Sequence, residues 1–98
     1  MIEFFADFDT ESEVDAVQLI ADELRKAKIK HPRWPDDPIH AAGVLVEEAG
    51  ELMQACLDFC YDDGTIDRMK EEAAQVGAMA VRFLENIETY RRVRRNEA

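Results

Sequence analysis

A chain of 98 residues holds at most one domain, and one with a limited apolar core of its own. Twelve basic residues against twenty-two acidic ones argue against a nucleic-acid partner, because neutralising phosphates takes basic surface. No apolar run approaches the roughly 20 residues that a bilayer requires, and the acidic N-terminus lacks a signal peptide's basic segment, so a cytoplasmic setting without membrane contact is expected.

Residues 1–98 read as a single domain, with an N-terminal arm over 1–9 and a basic tail over 91–98. The arm carries Phe4, Phe5 and Phe8 without a sustained period, which suits aromatics docking onto a neighbour. Thr10 with Glu13 makes a capping box, whose side chains satisfy free backbone N–H groups at a helix start. Val14, Val17, Ala21 and Leu24 then recur at spacings of three and four, predicting an amphipathic first helix to about Ile29. Arg25, Lys26, Lys28 and Lys30 suit the negative end of its dipole.

Pro32, Pro35 and Pro38 exclude regular helix between His31 and Asp37. Asp37 is placed to cap a second helix, with Pro38 at its first position. That helix is predicted to reach about Cys60, with Val44, Leu45, Leu52, Cys56 and Phe59 inward. Cys56 and Cys60 lie one turn apart, a placement suited to packing rather than to a structural disulfide. Asp62-Asp63-Gly64 breaks the helix and Thr65 can cap the next. A third helix is predicted from about Ile66 to Tyr90, with Met69, Ala73, Val76, Ala80, Phe83 and Ile87 inward. Strand-like alternation is absent throughout. The fold class expected is all-α: an antiparallel bundle of three main helices, completed by oligomerisation.

At about 100° per residue, Glu48 falls beside the inward positions Ala41, Leu52 and Phe59, with Glu51 about 60° to one side. Glu47 and His40 lie slightly further round. Glu72 flanks the inward set of the third helix, and Gln75, Met79, Arg82 and Asn86 continue a stripe on the same side. Antiparallel packing of the two seams would bring Glu48, Glu51, Glu72 and Gln75 together. Carboxylates beside a buried seam are costly unless a cation accompanies them. Oxygen donors of this kind select hard cations, Mg²⁺ or Mn²⁺, whose shells are commonly completed by substrate phosphates. The competing reading of the three acids of the second helix is a solvated helix face.

Glu47-Glu48-x-x-Glu51, then twenty residues, then Glu72-x-x-Gln75 resembles the E-E-x-x-E…E-x-x-D signature of the MazG-like all-α nucleoside triphosphate pyrophosphohydrolases. The resemblance runs from roughly Trp34 to Ile87. It implies Mg²⁺-dependent cleavage of a nucleoside triphosphate between its α- and β-phosphates, in a homo-oligomer, dimer or tetramer, with sites near subunit contacts. Carried over by position, Glu48, Glu51, Glu72 and Gln75 look like metal ligands, and Glu47 like a further ligand or the residue that orients the attacking water. The chain departs from the pattern at Gln75, where Asp is usual. A Gln carbonyl coordinates Mg²⁺ but brings no charge. Trp34, His40, Arg82 and Asn86 are the candidate substrate contacts, Trp34 by stacking on a base and Arg82 by pairing with phosphate. Trp34 serves equally as a core lid, Arg82 as the partner of a carboxylate, and His40 as a surface residue at a helix start.

Overall fold

The structure is a computed structural model and describes residues 11–92. The aromatic arm, the Thr10 cap and the tail beyond Arg92 lie outside the described residues. Three helices form: α1 (Glu11–Lys30), α2 (Pro38–Tyr61) and α3 (Ile66–Glu85). No strand occurs among the described residues.

The punctuation between helices follows from local chemistry. Asp37 caps α2, its Oδ1 accepting from the Ile39 N–H at 2.9 Å, with Pro38 at the position where a missing N–H costs nothing. Thr65 caps α3 by accepting from the Arg68 N–H at 3.1 Å. Between them the chain turns on Asp58. Its backbone oxygen accepts from the N–H groups of Asp62 and Gly64, and its carboxylate accepts from Gln54 and pairs with Arg68 at 2.8 Å. Gly64 is required here by close approach, since a Cβ would lie 2.6 Å from the backbone of Asp58 and Phe59.

The helices run up, down and up, with α3 in the middle. α3 packs against both α1 and α2, and those two do not pack against each other. Along α1, Ile20 meets Gly77 and Lys28 pairs with Glu85 at 2.9 Å, so α1 and α3 run parallel. The bundle is therefore open on one side. Its radius of gyration, 15.9 Å, exceeds the about 13 Å of a compact 100-residue domain.

Burial differs from the predicted seams in an instructive way. Among the described residues the buried apolar ones are Ala41, Ala55, Ala74, Ala78 and Met79, and no large side chain is fully buried. Small residues mark the lines of closest approach, and Val44, Leu45, Leu52 and Val76 flank them half-buried. On α1 the half-buried apolar residues are Val17, Leu19, Ile20, Leu24 and Ala27, whereas Val14 and Ala21 are exposed. On α3 the buried line is Ala74, Ala78, Met79 and Arg82, because contacts from two sides turn that face inward; Ala73 and Ile87, predicted inward, are exposed, as is Phe59 on α2. α3 also ends at Glu85, short of the predicted Tyr90. Asn86 caps it, and Tyr90 folds back so that its ring meets Phe83 at 4.7 Å. Arg91 then pins the chain to the loop, donating its backbone N–H to the Asp36 oxygen at 2.8 Å.

Candidate metal centre

Ala41, Glu48 and Ala55 are spaced by seven residues, so they lie along one line of α2, and the outer two are buried alanines. The middle member of the line is thus a carboxylate where α2 meets α3. Glu51 follows one turn later, and Glu72 reaches across from the first half of α3. One oxygen from each of Glu48, Glu51 and Glu72 lies within 4.8 Å of the others. Glu48 Oε2 and Glu72 Oε2 are both buried and accept no hydrogen bond.

The electrostatics are those of a site short of positive charge. Burial pushes the Glu48 carboxyl above its ordinary value, and the negative charges of Glu51, Glu72 and Glu47 push it further. Glu72 is raised by burial and then by Glu51, against a partial opposing pull from Arg68, whose guanidinium is committed to Asp58. Two orphaned acceptor oxygens inside a three-carboxylate cluster fit a hard divalent cation.

Beside this cluster, in the gap that α1 and α2 leave over α3, lies a cavity of about 620 Å³. Glu48 belongs to both, so it joins the acids to the cavity. Glu47 is exposed and lines the cavity rather than entering the three-carboxylate cluster, and Gln75, half-buried, lines it too. Of the predicted edge stripe of α3, Gln75, Met79 and Arg82 line the cavity, and Asn86 does not.

Arg82 is only 4% exposed. Its Nη1 donates to the Ala27 oxygen at 3.5 Å, and its Nη2 to those of His31 and Arg33. Its guanidinium also lies over the Trp34 ring, 5.1 Å from the centroid. The last turn of α1 and the loop that follows it thus supply the partners a buried cation needs, and no carboxylate is among them. Trp34 is fixed from the other side, donating from Nε1 to the Tyr90 hydroxyl at 2.8 Å, which donates to the Phe83 oxygen. Trp34 lines the cavity in this braced position.

Asn86 donates to the Arg82 backbone oxygen and faces a second, smaller cavity of about 410 Å³ on the far side of Trp34. His40 is exposed at the start of α2 and lines neither cavity. These two are therefore not brought to the acids.

Helix α1 contributes what the sequence reading passed over. Glu23, Lys26 and Lys30, with Arg33 of the loop, line the main cavity, and Glu23 pairs with Lys26 at 3.3 Å. A signal for the α1 residues exists: positions 23, 26 and 30 form a polar stripe beside the seam of Ile20, Leu24 and Ala27. In comparisons with protein-family models, curated proteins and solved structures, the chain matches none.

Proposed function

We propose that the chain is an Mg²⁺-dependent nucleotide pyrophosphohydrolase of the MazG-like kind, cleaving a nucleoside or deoxynucleoside triphosphate to the monophosphate and pyrophosphate. The observation that carries this reading is the position of Glu48, shared between a carboxylate cluster with two unpartnered oxygens and a cavity that Lys26, Lys30 and Arg33 also line. Glu48, Glu51 and Glu72 would hold the ion, with the Gln75 carbonyl available as a neutral donor; Mn²⁺ suits the same donors. When bound, the ion supplies charge neutralisation to the phosphates and to the leaving pyrophosphate.

The remaining work falls to the chain's own residues. Lys30 and Arg33 offer the phosphates cationic donors in the same cavity, and Lys26 joins them when it leaves Glu23. Trp34 presents an aromatic surface to the base. Glu47 orients a water at the cavity edge and takes its proton as the water oxygen attacks phosphorus and the bridging P–O bond breaks. Free nucleotides in the cytoplasm are the substrates this reaction implies, and a homo-oligomer is the working form.

The second reading is a non-catalytic helical binding or assembly module with a degenerate metal site. Gln75 favours it, because a neutral amide brings no charge to the ion where the resembled pattern has Asp. Pyrophosphate release from a panel of standard and modified nucleotides, with Mg²⁺ or Mn²⁺, separates the two. The enzyme reading expects turnover that Glu48→Gln abolishes while the helical signal is retained. Absence of turnover on the whole panel refutes it.

A further inference from the structure

Trp34 stands between the two cavities and lines both of them. It sits in the irregular segment between α1 and α2. An indole turns about its last torsion in a broad well, so its own rotamer does not fix the plane of the ring. Outside contacts must do so. Arg82 covers one face, its guanidinium 5.1 Å from the centroid. The edge is held by a residue 56 positions along the chain: Nε1 donates to the Tyr90 hydroxyl at 2.8 Å. That hydroxyl spends its one proton on the Phe83 oxygen at 3.0 Å, so towards Trp34 it can only accept. The two bonds together set one direction for the indole N–H.

Tyr90 is brought there by the way α3 ends. The Asn86 oxygen accepts from the Thr89 N–H at 3.0 Å and from the Thr89 hydroxyl at 2.8 Å, which turns the chain back. The Tyr90 ring then meets that of Phe83 at 4.7 Å, and the Arg91 N–H closes on the Asp36 oxygen at 2.8 Å. Residues 86–91 thus form a strap from the end of α3 to the segment that carries Trp34. Tyr90 itself lines neither cavity, so its effect on a ligand passes through Trp34.

We propose that Tyr90 is a positioning residue for base recognition: its hydroxyl presets the plane of the Trp34 ring that a nucleobase meets in the main cavity. This rests on the nucleotide reading above. A ring already set asks no ordering of the ligand, whereas a loose one takes that cost out of the binding energy. The effect is confined to the base end of the cavity. Glu72 precedes Arg82 by ten residues of α3, about 15 Å of helix, so the ion and the phosphates lie beyond the reach of the strap.

Tyr90→Phe separates this role from a merely structural one. It keeps the ring on Phe83, and the Phe83 oxygen keeps the Asn86 N–H, so the group left unpaired is the indole N–H. With Mg²⁺ and a nucleoside triphosphate that the wild type turns over, KM should rise about threefold to tenfold, the range one lost hydrogen bond allows, with kcat and the Mg²⁺ dependence unchanged. Inorganic triphosphate, which has no base, should inhibit variant and wild type equally. Trp34 is the one tryptophan of the chain, and acrylamide should quench its emission more steeply in the variant. An unchanged KM, an inhibition constant for triphosphate that rises with KM, or unchanged quenching overturns the proposal. KM and the inhibition constant report the folded fraction alone, so they decide the matter even where the variant folds incompletely. A wild type inert on every nucleotide removes the nucleotide reading and this one with it; an active wild type beside an indifferent variant removes only this one.

Discussion

Replacing Glu48 by Gln perturbs the one carboxylate that both the cluster and the cavity share. Without a divalent cation, Glu48 faces Glu51 and Glu72, each presenting an oxygen within 4.8 Å. Two unit charges at that distance repel by about 0.9 kcal/mol under water-like screening and about 3.5 kcal/mol at an effective dielectric of 20. Glu51 is exposed, so its share lies near the lower figure; Glu72 is half-buried, so its share is larger. The same repulsion is among the causes that raise the Glu48 carboxyl, after burial. A net gain of about 1–2 kcal/mol on substitution is the reasonable magnitude at neutral pH. In a domain this small it corresponds to a rise of roughly 5–10 °C in Tm.

The amide also brings an N–H donor to carboxylates that lack one. The variant should therefore melt higher than the wild type in chelator. Adding Mg²⁺ should reverse the order, because a ligand at about 100 times its Kd stabilises the folded state by about 2.7 kcal/mol, and only the wild type retains the full donor set. Far-UV circular dichroism melts at one fixed protein concentration, with chelator and with saturating Mg²⁺, measure both effects. A variant that melts no higher than the wild type in chelator, and responds to Mg²⁺ equally, would refute the cation-site reasoning.

Three further outcomes follow from the same structure. Glu48 and Glu72 have folded-state values raised above the ordinary 4.5, so the folded protein holds more protons than the unfolded chain above that pH. Stability in chelator should fall as pH rises from about 4.5 through the raised values, and Mg²⁺ should remove most of that slope; a flat or rising profile in urea titrations argues against the shifts. Arg82→Ala should cost about 3 kcal/mol, because three carbonyl oxygens lose their donor and Trp34 loses the charge over its ring, and Arg82→Lys should recover only part of it; chemical denaturation followed by Trp34 fluorescence reads both, and a loss under 1 kcal/mol for Arg82→Ala would contradict the assigned contacts. Gly64→Ala should destabilise by about 1–3 kcal/mol, since its Cβ would press on the Asp58 backbone rather than on a side chain that can turn away; an unchanged denaturation midpoint would be incompatible with that approach.

The local grammar of the chain was legible without coordinates. Asp37-Pro38 and Thr65 cap the helices they were expected to cap, and Asp62-Asp63-Gly64 interrupts them, because capping and chain reversal depend on a few adjacent residues. The acids were also legible. Wheel positions alone brought Glu48, Glu51 and Glu72 toward one another, since helical periodicity fixes direction around an axis. Packing partners were less so. Periodicity finds an apolar side but not which neighbour covers it, so the inward set of α3 was displaced toward Met79 and Arg82 once two helices claimed that face.

Sequence by itself therefore determined three helices, their caps and a carboxylate cluster on a defined edge, all consequences of interactions within a turn or two of chain. Only the tertiary structure decided that α1 and α2 stand apart, which opens the cavity beside those acids and brings Glu23, Lys26 and Lys30 to its wall. It alone gave Arg82 its surroundings, because the carbonyl oxygens of Ala27, His31 and Arg33 meet only where α1 ends against α3. Those are contacts between residues some fifty positions apart, and no local pattern specifies them.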